Sequence, residues 1–540
     1  MTDVFAARIA DPIREGLAAG WDVVDASRLD ADLVIEADVA IVGSGAGGGV
    51  TAETLALAGL KVVVLEEGPL RSSSDFRMRE AEAYPELYQE SAARKTRDKA
   101  INILQGRCVG GGTTVNWTSS FRTPPSTLAY WTRTLGLRGL DGPTLAPWFE
   151  KMEARLGIAP WEVAPNANNA ALARGAAKLG IASAAIRRNV RGCWNLGYCG
   201  MGCPTNAKQS MLVTTLPSAL ARGAKLVTRV RAERFVIVGD RVARLEARAL
   251  DAAGTTPGTH TVTVRARSYV AAAGAIGSPA LLLRSGVPDP HGIVGKRTFL
   301  HPTVVCAALM HDRVDGYAGA PQTIYSDHYL DTPPGGPAGF KLEAPPIHPV
   351  LAAITLPGHG ETHARWMQSL PTMHVLIALI RDGFHPDSPG GAVQLRDDGT
   401  PVLDYPLSPY LFDAARRAFR AMAALLFAAG AHAVMPVHGQ GDAFTTPAAA
   451  AGAIDRLALA PLVTPFVSAH VMGGCPIGPD PAHAVVDMTG RHHALSNLRV
   501  IDGSLFPTSI GANPQLSIYA LAAMLADDLA TSLGRRPAAA

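Results

Sequence analysis

Residues 38–68, DVAIVGSGAGGGVTAETLALAGLKVVVLEEG, constrain the fold more than any other stretch of the chain. Residues 38–42 are short and β-branched, which predicts a buried strand. Residues 43–48, GSGAGG, match G-x-G-x-x-G. A helix is expected from about residue 49 to residue 58, where Gly59 stops it. Residues 61–65 read as a second buried strand, ending in Glu66. Gly43 permits the tight turn, Gly45 lets a pyrophosphate approach the backbone, and Gly48 lets the helix pack close to the strand. Ala46, in the turn that leads into the helix, joins them as a candidate contact, because a helix N-terminus offers free N–H groups and a positive dipole end to a phosphate. Glu66 lies 23 residues after Gly43, where a carboxylate binds ribose hydroxyls. Strand, turn, helix, strand and acid agree on a dinucleotide site, without saying which dinucleotide.

The remaining numbers narrow the class. At 540 residues, with 48% hydrophobic and 18% charged residues, the chain is long enough for two or more domains with large cores. A net charge of +3 and the lack of a long Lys/Arg run argue against a nucleic-acid partner. The start, MTDVFAARIADPIREGLAAGW, has neither a basic segment before an apolar core nor a twin arginine, so a cytoplasmic location is expected. The most apolar long window, residues 421–437, contains Gly430, His432 and Pro436 and follows Arg416, Arg417 and Arg420. A membrane span needs about 20 clean apolar residues, so this window is expected to be a buried core helix and not a transmembrane segment.

The texture of the chain suggests its divisions. Residues 1–36 read as an extension, with a short helix packed on the surface. Residues 71–99 are a polar excursion. Residues 106–117, GRCVGGGTTVNW, form a second glycine loop whose three consecutive glycines bring backbone close to something flat or charged. Segments 225–231, 235–238, 241–250 and 259–267 predict an antiparallel meander. Residues 269–273 predict a further buried strand running into a helix. Between residues 299 and 465 prolines and glycines become frequent. Strands are expected there at 303–310, 352–356, 373–380 and 392–395, and a long helix at 410–429. A strand at 498–501, a turn at 502–504 and a helix at 517–533 return to the first texture. The end, 537–540, reads as fraying. The expected fold class is α/β: a nucleotide-binding domain assembled from discontinuous segments, 37–298 and 466–540, with an α+β substrate domain on an antiparallel sheet at 299–465.

Four stretches, in order, resemble the glucose–methanol–choline (GMC) flavin oxidoreductases. They are the GSGAGGG loop with Glu66; Gly106-Arg107 through Gly110, Gly111 and Asn116, similar to the first family signature GR-x-x-GGSS-x-x-N; Gly274 to Gly286, similar to the second; and His470-Val-Met-Gly-Gly474 followed by Asn497 to Ser504, Pro507-Thr508 and Asn513-Pro514. The match runs from about residue 37 to residue 533. It implies a Rossmann-like FAD-binding domain with a substrate domain inserted into it, and it names the dinucleotide as FAD. By the same resemblance Arg107, Gly110, Gly111 and Asn116 lie along the flavin and pyrophosphate, Val230 meets the adenine, and Asp502 and Gly503 hold the ribityl–pyrophosphate region. Some members attach FAD through a histidine in the first signature; Val115 stands at that position here, so non-covalent FAD is expected. Trp117 directly follows this loop and is a candidate neighbour of the flavin.

Oxidising a CH–OH group needs a hydride acceptor, a base for the hydroxyl proton and a group that orients the oxygen. Flavin supplies the first. An imidazole is substantially neutral at pH 7 and accepts a proton there, and His470 stands at the family's catalytic histidine. Asn513 matches the second member of the pair, where an amide donates to the substrate oxygen while accepting from a neighbour. His301, in a His-Pro element, reads as structural. His492 and His493 read as solvent-facing.

Cys193, Cys199 and Cys203 leave alternatives open. Their x5 and x3 spacing resembles a [3Fe–4S] site in the catalytic subunit of bacterial FAD sugar dehydrogenases, which pass electrons to a cytochrome. The run Cys199-Gly-Met-Gly-Cys203-Pro-Thr-Asn-Ala-Lys208 also resembles family alcohol oxidases and dehydrogenases without a cluster. The expected activity is FAD-dependent oxidation of a small-molecule alcohol to an aldehyde or ketone, with O2, a quinone or a cytochrome as acceptor. Segments such as PPIHPVL at 345–351 favour a neutral, fairly hydrophobic alcohol. A sugar dehydrogenase-like relay and a hydroxynitrile lyase-like flavoprotein are the competing readings.

Overall fold

Short β-branched strands build the first sheet. In the computed structural model, which describes residues 9–333 and 335–535, Leu33–Val42 and Val62–Leu65 pair in parallel, Val39 opposite Val62 and Val42 opposite Leu65. Ala46–Leu57 is the helix that connects them. Strands covered on both faces carry apolar residues at successive positions, and all four residues of Val62–Leu65 are buried. Lys225–Thr228 extends the sheet in parallel beyond Val62–Leu65, and Pro257–Ala271 pairs in parallel with the other edge of Leu33–Val42.

Three details differ from the sequence expectation. Val23–Asp25 forms an edge strand parallel to Lys225–Thr228, so the N-terminal segment is part of the sheet. A boundary at residue 37 also cuts the strand Leu33–Val42. The strands expected at 259–267 and 269–273 are one, Pro257–Ala271. Its first half pairs antiparallel with Arg241–Leu250, which in turn pairs with Val230–Val238. Its last residues pair in parallel with Leu498–Val500, Tyr269 opposite Leu498. A strand more than 200 residues downstream thereby completes the sheet at its cofactor end.

The second sheet runs Ile101–Ile103, Phe466–Ser468, Thr303–Leu309, Met373–Ile380, Phe340–Glu343, Ile324–Ser326, Ala184–Ala185. Its centre is antiparallel, Thr303 opposite Leu379 and Val305 opposite Ile377. Two of its strands, Ile101–Ile103 and Ala184–Ala185, come from the part of the chain expected in the first domain, and Lys296–Leu300 crosses the boundary at 298. Side chains alternate across the sheet with period two. Val304, Cys306, Ala308, Leu376 and Ala378 share a core with the buried side of the helix Pro409–Ala428. Val305, Ala307, Val375, Ile377 and Leu379 form a separate apolar layer on the opposite face.

Residues 349–355 form the helix Pro349–Thr355 and not the strand expected at 352–356. Proline at the first helical position is pre-set for a helix, and the alanines that follow favour one. The apolar window at 421–437 divides at Gly430, φ +103°, into the end of that long helix and the strand Ala433–Pro436. Among the described residues no helix is long and apolar enough to cross a membrane. The tail expected to fray, 537–540, lies outside the described residues.

Candidate active site

One cavity of about 1510 Å³ joins the two sheets. Its nucleotide end is made largely of backbone. Gly43 turns the chain at φ +98°, and a side chain there would strike the carbonyl of Ala272. A Cβ on Gly47 would strike the carbonyl of Ile501, so this helix start can approach the Leu498–Val500 strand end only as glycine. Gly48 sits equally close to the carbonyl of Gly43, which is the helix–strand packing expected of it, and it faces away from the cavity. Near Gly45 a Cβ would meet only the Cα of Gly111, at 3.8 Å. The two glycine loops therefore lie against each other, with bare backbone facing the cavity, and the Ser44 hydroxyl accepts from Gly110 N at 3.0 Å.

Glu66, Ala46, Gly111, Asn116, Trp117, Val230, Asp502 and Gly503 all line the cavity. Glu66 accepts from Ser44 N (3.0 Å), Ser44 Oγ (2.6 Å) and Gly68 N (2.8 Å), and burial raises its pKa despite those donors. The Asp502 carboxylate accepts from Gly274 N and Ser278 Oγ on one oxygen and from Ser504 N and Ser504 Oγ on the other. It fastens the start of the helix Gly274–Ser285 to the turn after Leu498–Val500. Val230 N is engaged by Glu66 O at 3.1 Å. Asn116 Nδ2 donates to Gln515 Oε1 at 2.7 Å. Arg107 departs from expectation. It points away from the cavity, donates to Gly254 O and lies 3.6 Å from Glu67, so its charge serves the loop's support. Gly110 likewise sits behind the lining.

The cysteine cluster does not fit an iron–sulfur site. Among the described residues no group of three or more His, Cys, Asp or Glu side chains is placed to hold a metal ion. Each thiol has a separate neighbour: Asn195 N on Cys193 (3.4 Å), Arg188 Nη2 on Cys199 (3.8 Å), and Thr205 Oγ1 and Lys208 N on Cys203 (3.4 and 3.5 Å). The segment's structural work falls to Lys208. Its Nζ donates to the carbonyls of Thr114, Asn116 and Cys199, each at 2.7 Å, and so ties this segment to the second glycine loop.

At its other end the cavity is made of side chains. His470 and Asn513 both line it. Burial, with Lys341's positive charge behind it, pushes His470 down to about 4, so the ring is neutral at pH 7. Its Nδ1 is 3.0 Å from His301 Nδ1. His301 is buried, and its Nε2 accepts from Gly511 N at 3.2 Å. That bond requires a lone pair on Nε2, so neutral His301 carries its proton on Nδ1 and donates it to His470 Nδ1. Neutral His470 then carries its own proton on Nε2, which has no protein partner among the described residues.

Asn513 Nδ2 donates to Glu343 Oε2 at 3.3 Å, and its buried Oδ1 has no partner. Glu343 lies at the end of Phe340–Glu343, wholly buried. Burial raises it to about 7, against the opposing charge of Lys341. Beyond this polar end the wall is Val305, Ala307, Met373, Val375, Ile377 and Leu379.

The motifs located His470 and Asn513 but not the residues behind them. His301, read as structural, is in direct contact with His470. Glu343 gave no signal beyond a carboxylate in an apolar strand, FKLE. His492 is buried and accepts from Ala494 N on Nδ1, contrary to the solvent-facing expectation.

Two GMC oxidoreductase family models match residues 84–303 and 386–522, and an FAD-binding-domain model matches residues 38–79. An uncharacterised GMC-type oxidoreductase of Mycobacterium tuberculosis is 34% identical over 97% of this chain and 82% of its own length. The long-chain-alcohol oxidase FAO4B of Arabidopsis thaliana is 29% identical over 94% of this chain and 70% of its own. Among solved structures, pyridoxine 4-oxidase from Mesorbium loti superposes with a TM-score of 0.69 at 20% identity, covering 91% of this chain and 98% of that one. A formate oxidase from Aspergillus oryzae does so with a TM-score of 0.68 at 16% identity, covering 94% and 99%.

Proposed function

Because the chain belongs to the GMC oxidoreductase family, we propose that it uses FAD to oxidise the CH–OH group of a neutral, apolar alcohol. The observation that carries this reading is the contrast within one cavity. Two polar groups, His470 and Asn513, share the cavity lining with an apolar face made of Val305, Ala307, Met373, Val375, Ile377 and Leu379. An alkyl chain gains about 0.8 kcal/mol for each methylene buried against such a wall, while a hydroxyl needs the polar end. The long-chain-alcohol oxidase relative supports the same substrate class.

FAD supplies the hydride acceptor when bound. The bare backbone at Gly45 and Gly111 and the helix start at Ala46 suit its pyrophosphate, and Glu66 and Val230 line the nucleotide end. Val115 has no group that could bond to the flavin, so the cofactor is held without a covalent link, and acid precipitation releases it into the supernatant. The acceptor of the electrons is O2 or a diffusible carrier, separated by peroxide formation in air.

In the resting tautomer His470 Nε2–H donates to the substrate oxygen and holds it in place. His470 becomes the base from the opposite tautomer, with its proton on Nδ1. That form puts a proton on His301 Nε2 against Gly511 N–H, and losing this buried bond costs about 1–3 kcal/mol. The base is therefore a minor form at rest.

Anaerobic mixing with a panel of primary alcohols should bleach the flavin, most efficiently for long chains. His470→Ala should slow that bleaching roughly a thousandfold while leaving FAD bound. A flavin that no alcohol bleaches would count against the reading, and unchanged bleaching in the variant would remove His470 from it.

A further inference from the structure

We infer that the helix Pro349–Thr355 is the gate of the substrate cavity and that Glu80 is its latch, a positioning residue that decides how firmly a long apolar substrate is enclosed. Only the identity of the ligand is taken from the proposed oxidation.

The helix has seven residues. Isolated helices shorter than about 12–15 residues are marginal in water, so this one depends on what it touches. Only Ala352 is buried within it. Ala352 and Leu356, which follows the helix, join the apolar layer of Val305, Val375 and Ile377. The next helix, Gly360–Gln368, has no buried residue, and its His363 Nε2 lies 3.0 Å from Ala353 O. Segments with so few buried apolar contacts open before the rest of a fold does.

What fixes the helix is its first turn. A helix start leaves N–H groups without partners. Pro349 has none to leave, and Ala352 N donates to His348 O at 2.8 Å. Val350 N and Leu351 N remain. The His348 side chain, at the N-cap position, does not serve them, and the first turn has no acid of its own. Both are taken by one carboxylate from 270 residues earlier in the chain. Val350 N donates to Glu80 Oε2 at 2.7 Å and Leu351 N to Glu80 Oε1 at 3.0 Å. Tyr84 donates its hydroxyl to Glu80 Oε1 at 2.8 Å from the same helix, Glu80–Leu87, and so holds the carboxylate in place. Glu80 is buried, and its charge meets the positive end of the helix dipole. The polar excursion thereby fastens an element of the antiparallel half.

The place of the helix makes it a gate. Val350, Leu351, Ile354 and Thr355 line the cavity. Val350 and Ile354, one turn apart, are 42% and 62% exposed, and Leu462, which also lines the cavity, is 67% exposed. A side chain that both lines a cavity and meets solvent stands at its mouth. Among the described residues, these three are the exposed large apolar side chains that do so. An apolar mouth suits an alkyl chain and offers nothing to a hydroxyl. While the helix is latched, a long chain is covered along its outer end; once the helix swings away, that burial is lost. A chain too short to reach the helix does not sense the latch.

The test compares FAD-loaded wild type, Glu80→Ala and Glu80→Gln. Deuterium uptake is read in peptides covering residues 349–356 and 373–380, and half-saturation of anaerobic flavin reduction is read for 1-decanol and 1-butanol. Two bonds to a carboxylate are lost in Glu80→Ala, so uptake at 349–356 should rise by about tenfold or more, with 373–380 unchanged. Half-saturation should rise about fourfold for 1-decanol, what the burial of one methylene is worth, and less than about twofold for 1-butanol, with FAD content as in wild type. Glu80→Gln keeps the shape but faces one of the two N–H groups with an NH2, and should move both readouts the same way by less. Unchanged uptake in Glu80→Ala would remove the latch. Faster uptake with unchanged 1-decanol half-saturation, or with an equal rise for 1-butanol, would remove the gate, because a merely structural role does not separate the two chain lengths. If Glu80→Ala does not fold, Glu80→Gln decides by the same criteria. If no alcohol bleaches the flavin, the oxidation reading fails and uptake alone judges the gate: 1-decanol should slow exchange at 349–356 in wild type, and the lack of slowing would overturn it.

Discussion

The two sheets meet at one cavity but contribute to it in opposite ways. The parallel sheet presents strand ends and glycine loops, so its half of the site is mostly backbone. The antiparallel sheet presents one face, so its half is side chains: an apolar wall from Thr303–Leu309 and Met373–Ile380, with Lys341 and Glu343 on the neighbouring strand. Backbone geometry depends on the absence of a side chain at a few positions. Side-chain geometry depends on which residues happen to be opposite one another. The first half should therefore fail abruptly on substitution, and the second should change by degrees.

The largest effect is expected at Gly47. A Cβ there meets the carbonyl of Ile501, which belongs to the sheet and cannot yield cheaply. Gly47→Val should give protein with little or no flavin absorbance after purification, and a variant with full FAD content would break the contrast. Acid should produce the next largest effect, concentrated in the antiparallel half. His374 is buried and pushed down to about 3, His470 to about 4, and His301 well below its usual value, all by burial first. Their folded values lie below the unfolded value near 6.5, so the unfolded chain takes up protons first. The stability they contribute is present above about pH 6.5 and is lost as pH falls toward 4. Hydrogen exchange measured at pH 7 and pH 4.5 should show protection falling in Met373–Ile380 before it falls in Leu33–Val42; the reverse order would contradict the comparison. The smallest effect is expected on the apolar wall. Val375→Phe should raise the KM for long-chain alcohols several-fold, leave short-chain KM and FAD content unchanged, and shift the preferred chain length down, read from steady-state kinetics across the alcohol series.

The same contrast explains how much was legible in advance. Gly43, Gly45, Gly48 and Glu66 stand at fixed offsets within one strand–helix–strand unit, and local spacing encodes their geometry. Gly47 carries no such local mark, because its partner Ile501 is over 450 residues away and no spacing rule joins them. His470 and Asn513 were found by motif position alone. His301-Pro302 resembles a structural element of the family, and its contact with His470 is made only when Lys296–Leu300 and Val471–Gly473 pair, Leu300 opposite Val471. Arg107 was placed against the cofactor by its motif, yet Glu67 and the Gly254 carbonyl hold it behind the loop. The cysteines showed a spacing that suits a cluster, but spacing does not state where the thiols point.

The sequence by itself determined the nucleotide-binding unit, the family, the FAD requirement and the two polar residues at the chemical end. Those properties reside in short-range patterns whose physical demands are local: a turn without a Cβ, a helix start with free N–H groups, apolar strands of successive residues. Only the tertiary structure decided which proton each imidazole carries, which way the Asn513 amide faces and what the three thiols touch. Each of these depends on a donor or acceptor brought from another part of the chain. Gly511 sets His301, Glu343 holds the Asn513 amide nitrogen, and Asn195, Arg188, Thr205 and Lys208 are the groups the thiols touch. A hydrogen bond has a direction, and that direction exists only after both partners have been brought together.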